Sequence, residues 1–109
     1  MKGTVVLVPF PYTDFSATKL RPAVVLLDNG PDVVVAFISS HIPENRSPAG
    51  IALARSTPEF LTTGLKTDSV IRLDKITTII KTMVAGTIGE LPPEIRSEVN
   101  RKMAKLYRI

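Results

Sequence analysis

Residues 5–27, VVLVPFPYTDFSATKLRPAVVLL, constrain the rest of the chain more than any other stretch. They hold two apolar, β-branched runs, VVLVPF and AVVLL, around a polar loop with Thr13, Asp14, Ser16, Thr18 and Lys19. Branching at Cβ suits a pleated strand, so the pattern predicts two strands over residues 3–10 and 23–27 joined by a loop. The loop ends in Arg21-Pro22. Proline lacks the N–H that a ladder needs and keeps the residue before it out of the α region. Pro22 is therefore expected at the start of the second strand, not inside it, with Arg21 extended at the strand mouth. A guanidinium fixed there can meet an anion, although a lone surface arginine can equally serve solubility.

The chain continues in the same idiom. Asp28-Asn29-Gly30-Pro31-Asp32 is a turn signal, so the first strands read as a hairpin-rich sheet. Residues 33–42 predict a third strand. Period-two alternation sets Val33, Val35, Phe37, Ser39 and His41 on one face and Val34, Ala36, Ile38, Ser40 and Ile42 on the other. A loop over 43–50 leads to a short strand, IALA. Ser56-Thr57-Pro58-Glu59 then has the form of a helix start with a hydroxyl cap, and Gly64 that of its end. Residues 69–73, 76–80 and 84–88 read as further short strands, with a helical turn near 81–84. After Leu91-Pro92-Pro93-Glu94 the period changes: Ile95, Val99, Met103, Leu106 and Ile109 recur at spacings of three and four, which predicts an amphipathic helix. Basic residues Arg101, Lys102, Lys105 and Arg108 suit its C-terminal half. Many short strands closed by one helix predict a mainly β fold (α+β) in one domain over 1–109: a small, strongly bent sheet or barrel of mostly antiparallel strands. One helix can cover only part of the apolar surface, so a dimer is expected to bury more.

Composition narrows the chemistry. The absence of cysteine removes disulfides, thiolate nucleophiles and cysteine metal sites, and fits a reducing cytoplasmic setting. His41 is the single histidine, so one chain cannot build a multi-histidine metal site. No apolar stretch approaches the roughly 20 residues of a membrane helix, and the N-terminal run, broken by Pro9 and Pro11, reads as a poor signal peptide. There is no phosphate loop and no GxGxxG. The net charge of +4 favours a polyanionic partner.

The polar residues on otherwise apolar strands are Arg21, Ser39, His41, Arg72 and Asp74. A Ser39, His41 and Asp74 triad can be written down, but no nucleophile elbow accompanies it. Metal-free cleavage of RNA needs parts of this kind, although pattern alone gives only a small basic β-rich domain. That reaction needs a base for the ribose 2′-OH, an acid for the departing 5′ oxygen, and fixed cations for the phosphoryl oxygens. Arginine matches two phosphate oxygens with its planar fork, and His41 or Asp74 could serve as base. Plainer roles stand beside these. Arg72 and Asp74 could be a surface ion pair, Ser39 could close its strand with a local backbone bond, and His41 could simply be exposed. Phe10 and Tyr12 could stack on bases, although Phe10 equally suits a core.

Five segments in order, GTVVLVPF at 3–10, KLRPAVVL at 19–26, AFISSHI at 36–42, TGLKTDSVIRLDKITTI at 63–79 and GTIGEL at 86–91, resemble the MazF/PemK (Kid-like) toxin family along essentially the whole chain. The resemblance implies an SH3-like barrel with a C-terminal helix, working as a homodimer. It implies a metal-independent endoribonuclease without cofactors, cutting single-stranded RNA or mRNA to a 2′,3′-cyclic phosphate and a 5′-OH, and neutralised by a cognate antitoxin protein. By position, Arg21 matches the family's arginine before proline, a catalytic acid or transition-state stabiliser, Ser39 its catalytic Thr or Ser, and Arg72 and Asp74 the Arg and Asp of the second block that contribute to cleavage in Kid-like members. Lys19, Pro22, Ser40, His41 and Tyr12 are expected to bind RNA. The chain departs from the family at Lys2-Gly3-Thr4 and in a first loop without the usual glycines. Phe15 stands there at the offset of the Kid-like loop histidine. A CcdB-like gyrase-binding inhibitor shares this fold, and a member that binds RNA or antitoxin without cutting is a further alternative.

Overall fold

A computed structural model describes residues 1–10, 19–42 and 47–109. The valine-rich runs pair as expected. β1 (Thr4–Phe10) lies antiparallel to β2 (Lys19–Asn29), with Val5 opposite Val24 and Val8 opposite Arg21. β3 (Asp32–Ser39), β4 (Gly50–Leu53), β5 (Ser69–Ile80) and β6 (Gly86–Glu90) complete one sheet in the order β4-β5-β3-β2-β1-β6, each neighbouring pair antiparallel. Register shifts interrupt β1–β6, β2–β3 and β3–β5. Irregularities of this kind increase local twist, and here they curl the sheet into a half-barrel.

Both faces of the curled sheet are apolar, because alternate residues of β1, β2 and β3 are buried on opposite sides. Val5, Val24, Ala36, Ile38, Ile51, Ile71 and Leu73 form one core. Val6, Val8, Ala23, Val25, Val33 and Val35 form a second, smaller one. The larger core is closed by α1 (Pro93–Leu106), which buries Val99 and packs Ile95, Met103 and Leu106 against it. Ile109 lies past the helix end and is fully exposed, so the apolar period stops at Leu106. Polar ties fix the helix to the sheet. Arg96 donates to the carbonyls of Leu91 and Lys2 at 3.0 and 3.2 Å, Lys102 to Gly50 O at 2.9 Å, and the Tyr107 hydroxyl to Leu73 O.

Four expectations are corrected. Pro22 is the fourth residue of an 11-residue strand, not its start. It is tolerated because pairing with β3 begins only at Ala23 opposite Phe37, so β2 is an edge on that side before Ala23. The strands expected over 69–73 and 76–80 are one 12-residue strand. Ala36 pairs with Ile76 and Ile38 with Ile71, so β5 takes five residue steps against two of β3. The extra residues around Arg72, Asp74 and Lys75 make a corner outside that ladder, where charge costs little. The third strand stops at Ser39 rather than 42, because the Ser39 hydroxyl engages the backbone of His41 in place of a ladder.

The expected helix start at 56–59 is a 3₁₀ turn, Pro58–Thr63, ended by Gly64 in the left-handed region. Its cap is not a hydroxyl acceptor: Thr57 Oγ1 donates back to Ala54 O at 2.7 Å. A second 3₁₀ turn covers Lys81–Met83. Among the described residues no helix is long and apolar enough to cross a membrane.

Candidate functional site

The site grows from the places where ladders end. Before Ala23, β2 has β1 on one side and no β3 on the other, and this open edge presents Arg21 and Pro22. β3 ends at Ser39 opposite Val70, and Ser40 and His41 continue past it. The β5 corner adds Arg72 and Lys75, and the segment after Gly64 adds Leu65, Lys66 and Thr67. Together they line a groove of 680 Å³, floored by Leu7, Phe37, Ile38 and Ile88.

Of the residues expected from sequence, the groove brings together Arg21, Pro22, Ser39, Ser40, His41 and Arg72. Lys19, exposed at the start of β2, and Asp74 lie outside its lining. Tyr12 and the first-loop residues 11–18 lie outside the described residues. Lys66 and Lys75 were missed. Strict alternation sets Lys75 on the face opposite Arg72; the corner of β5 brings both to the groove. The described lining holds four cations, Arg21, Lys66, Arg72 and Lys75, and no carboxylate.

Asp74 acts on this groove through Arg72. The Arg72 Nε donates to Asp74 Oδ1 at 3.0 Å and Nη2 to Oδ2 at 2.8 Å, a bidentate pair. The pairing foreseen from i, i+2 spacing is therefore present, and it commits two of the five guanidinium N–H donors while fixing the plane of the rest. Hydrogen bonding from Arg72 holds the Asp74 carboxyl below the usual carboxylate range, against a smaller opposing effect of desolvation. The same bond raises Arg72. A carboxylate held ionised, with both oxygens accepting from one guanidinium, is a poor proton acceptor.

This gives a direct check. In an NMR titration the Asp74 carboxyl should protonate below its ordinary value, and in Arg72→Gln it should return toward that value. Because the folded value is depressed, the pair's contribution is full above the unfolded Asp value. It is lost as pH falls through the folded one. With Asp74 42% exposed the stability at stake is about 0–1 kcal/mol, so acid should shift the melting temperature little at this site. An Asp74 titration unchanged in the variant would refute the pair.

Ser39 has a local engagement. Its Oγ accepts the His41 N–H at 3.1 Å and donates more weakly to His41 O at 3.4 Å. The strand-end bond considered from sequence is thus real, and it sets the backbone of the one histidine in the groove. Among the described residues no group of three or more His, Cys, Asp or Glu side chains comes together as a metal site.

A cationic groove on the rim of a helix-capped half-barrel has the charge to attract an anion. Residues 1–107 match the PemK-like, MazF-like toxin of type II toxin-antitoxin system, and the chain belongs to that family. It is therefore a toxin of the type II toxin–antitoxin class. Solved structures share the fold. The Mycobacterium tuberculosis toxin MazF-mt6 is similar at a TM-score of 0.75 and 16% identity, covering 97% of each chain. A mycobacterial endoribonuclease in complex with its cognate antitoxin gives 0.71 and 19%, over 96% of this chain and 91% of that one. MazF in the MazE–MazF complex from Deinococcus radiodurans gives 0.72 and 20%, over 95% and 91%. No curated protein matches the chain.

Proposed function

We propose that this toxin is an endoribonuclease that cuts single-stranded RNA, mRNA above all, by attack of a ribose 2′-OH on the adjacent phosphorus. The observation that carries the reading is the joint presence of Arg21 and the Asp74-braced Arg72 in one groove without carboxylates in its described lining. Two guanidinium forks can hold a phosphodiester and take up the charge that builds on its non-bridging oxygens. Lys66 and Lys75 extend the positive surface for flanking phosphates. DNA lacks the 2′-OH and so lacks the internal nucleophile.

The donor set also supports cleavage without a metal. The described lining offers one imidazole and no carboxylate, whereas Mg²⁺ or Ca²⁺ asks for several oxygen donors with negative charge. The open groove and its charge fit a homodimer that carries RNA where two subunits meet, and a cognate antitoxin with acidic side chains that covers the same surface. Family membership supports both, and the antitoxin in the two neighbouring complexes supports the second.

The test is cleavage of a long, weakly structured RNA in excess EDTA, with DNA of the same sequence alongside. Discrete RNA cuts bearing 2′,3′-cyclic phosphates, with DNA intact, are the expected result. Salt-sensitive RNA binding without any product would replace this reading with a binding-only toxin. No RNA binding at all would favour a protein target.

A further inference from the structure

We propose that His41 is the general base of the reaction and that Ser39 is its positioning residue. The inference rests on the ribonuclease reading above and names a role that reading leaves unassigned. A base must be able to take a proton near neutrality and must stand in the groove. Among the described lining residues His41 alone meets both conditions. Lysine and arginine ordinarily stay protonated across the neutral range, and serine and threonine hydroxyls are far too weakly basic. Asp74 is outside the groove, with both oxygens accepting from Arg72. Histidine is the side chain that ordinarily exchanges a proton near pH 7.

The geometry adds a reason for the serine. A residue just past the end of a strand has no ladder to fix it, and His41 is exposed. The Ser39 Oγ replaces that ladder by accepting the His41 N–H at 3.1 Å, which holds the imidazole-bearing backbone beside the groove. The charged groups that share the groove are Arg21 from β2, Lys66 from the segment after Gly64, and Arg72 and Lys75 from β5. All are cations suited to the phosphate, and none competes for the proton.

The step balances as follows. The 2′-OH proton passes to the His41 imidazole as O2′ bonds to phosphorus. The P–O5′ bond breaks, and its electron pair leaves with O5′, which takes a proton from water. The imidazolium then returns its proton to the hydroxide, leaving a 2′,3′-cyclic phosphate, a 5′-OH and neutral His41.

Single-turnover cleavage across pH, with RNA affinity measured in parallel, tests this. Wild type should speed up as pH rises, along a one-proton limb. At protein concentrations that saturate the RNA, so that any loss of affinity is set aside, His41→Ala should cut about 10²–10⁴-fold more slowly and without that limb. Added free imidazole should restore part of its rate. Ser39→Ala should lose less and keep the limb, and Ser39→Thr should recover. RNA with sulfur in place of the bridging 5′ oxygen has a leaving group that needs no acid, so the His41→Ala deficit should persist on it. If the deficit vanishes there, His41 is an acid and the assignment falls. Wild-type cleavage by His41→Ala overturns it as well, with the ribonuclease reading intact, whereas RNA left uncut by wild type overturns both.

Discussion

Arg21→Ala should yield a folded half-barrel that cuts RNA about 10²–10³-fold more slowly than wild type. The side chain is exposed, and the pairing of Arg21 with Val8 belongs to the backbone, so truncation leaves the β1–β2 ladder whole. Surface changes of this kind move stability by about 0.5 kcal/mol or less. The chemistry, by contrast, loses a bidentate cation at the phosphate. Loss of one oriented donor to a developing oxyanion costs about 10²–10³ in rate. A lysine at position 21 restores the charge but not the planar fork, so it should recover binding more than rate. The experiment pairs urea melts with product mapping on identically purified proteins. Equal cutting by wild type and Arg21→Ala would place the active site elsewhere. A variant that melts early would show instead that Arg21 supports the fold.

How much of this was legible in the sequence depends on which physical signal carried it. A valine-dense, β-branched run gave β1 and period-two alternation gave β3, because side-chain period follows directly from a pleated backbone. The period of three and four gave α1 almost to its ends. What alternation could not give was the corner of β5. A strand that steps five residues against its partner's two keeps an extended backbone but leaves the ladder, and nothing in Arg72-Leu73-Asp74-Lys75 distinguishes that from a break. The same corner hid Lys75, and Lys66 follows a turn with no period at all. Pro22 misled for a related reason. The rule against proline inside a strand concerns ladders on both sides, and β2 has only one before Ala23. Arg21, Ser39 and Arg72 stood out as polar residues on apolar strands and took their roles from family resemblance, but the groove they share exists because three ladders end near one another. That is a tertiary fact, invisible to local pattern.

Gly64→Ala should be the most destabilising single methyl in the chain's loops, at about 2–6 kcal/mol from a strained backbone and an overpacked contact together. Gly64 has φ 73°, where an L side chain is strained, and a Cβ there would lie 2.0 Å from Ile88 O and 2.7 Å from Ile88 C. Gly89 makes the reciprocal approach: a Cβ on it would lie 2.3 Å from Thr62 O and 2.4 Å from Thr63 C. The end of the first 3₁₀ turn and β6 therefore touch backbone to backbone, with no flexible side chain between them to yield. Threonines stitch the contact, since Thr62 Oγ1 donates to Glu90 O at 3.2 Å, and buried Thr63 donates to Phe60 O at 2.6 Å while accepting from Leu65 N at 3.2 Å. The proposed RNA groove reaches the same spot, because Gly64, Leu65, Lys66, Thr67 and Ile88 form one wall of it. Pushing the turn off β6 moves Lys66 with it, so RNA affinity should fall along with stability. Gly86 supplies the control: it lies in the same strand, and a Cβ on it meets nothing within 4 Å. Gly86→Ala should melt in urea within about 0.5 kcal/mol of wild type and bind RNA normally. Matching melts for Gly64→Ala and Gly86→Ala would mean that the turn and the strand are not in backbone contact, and that the groove wall is held by side chains alone.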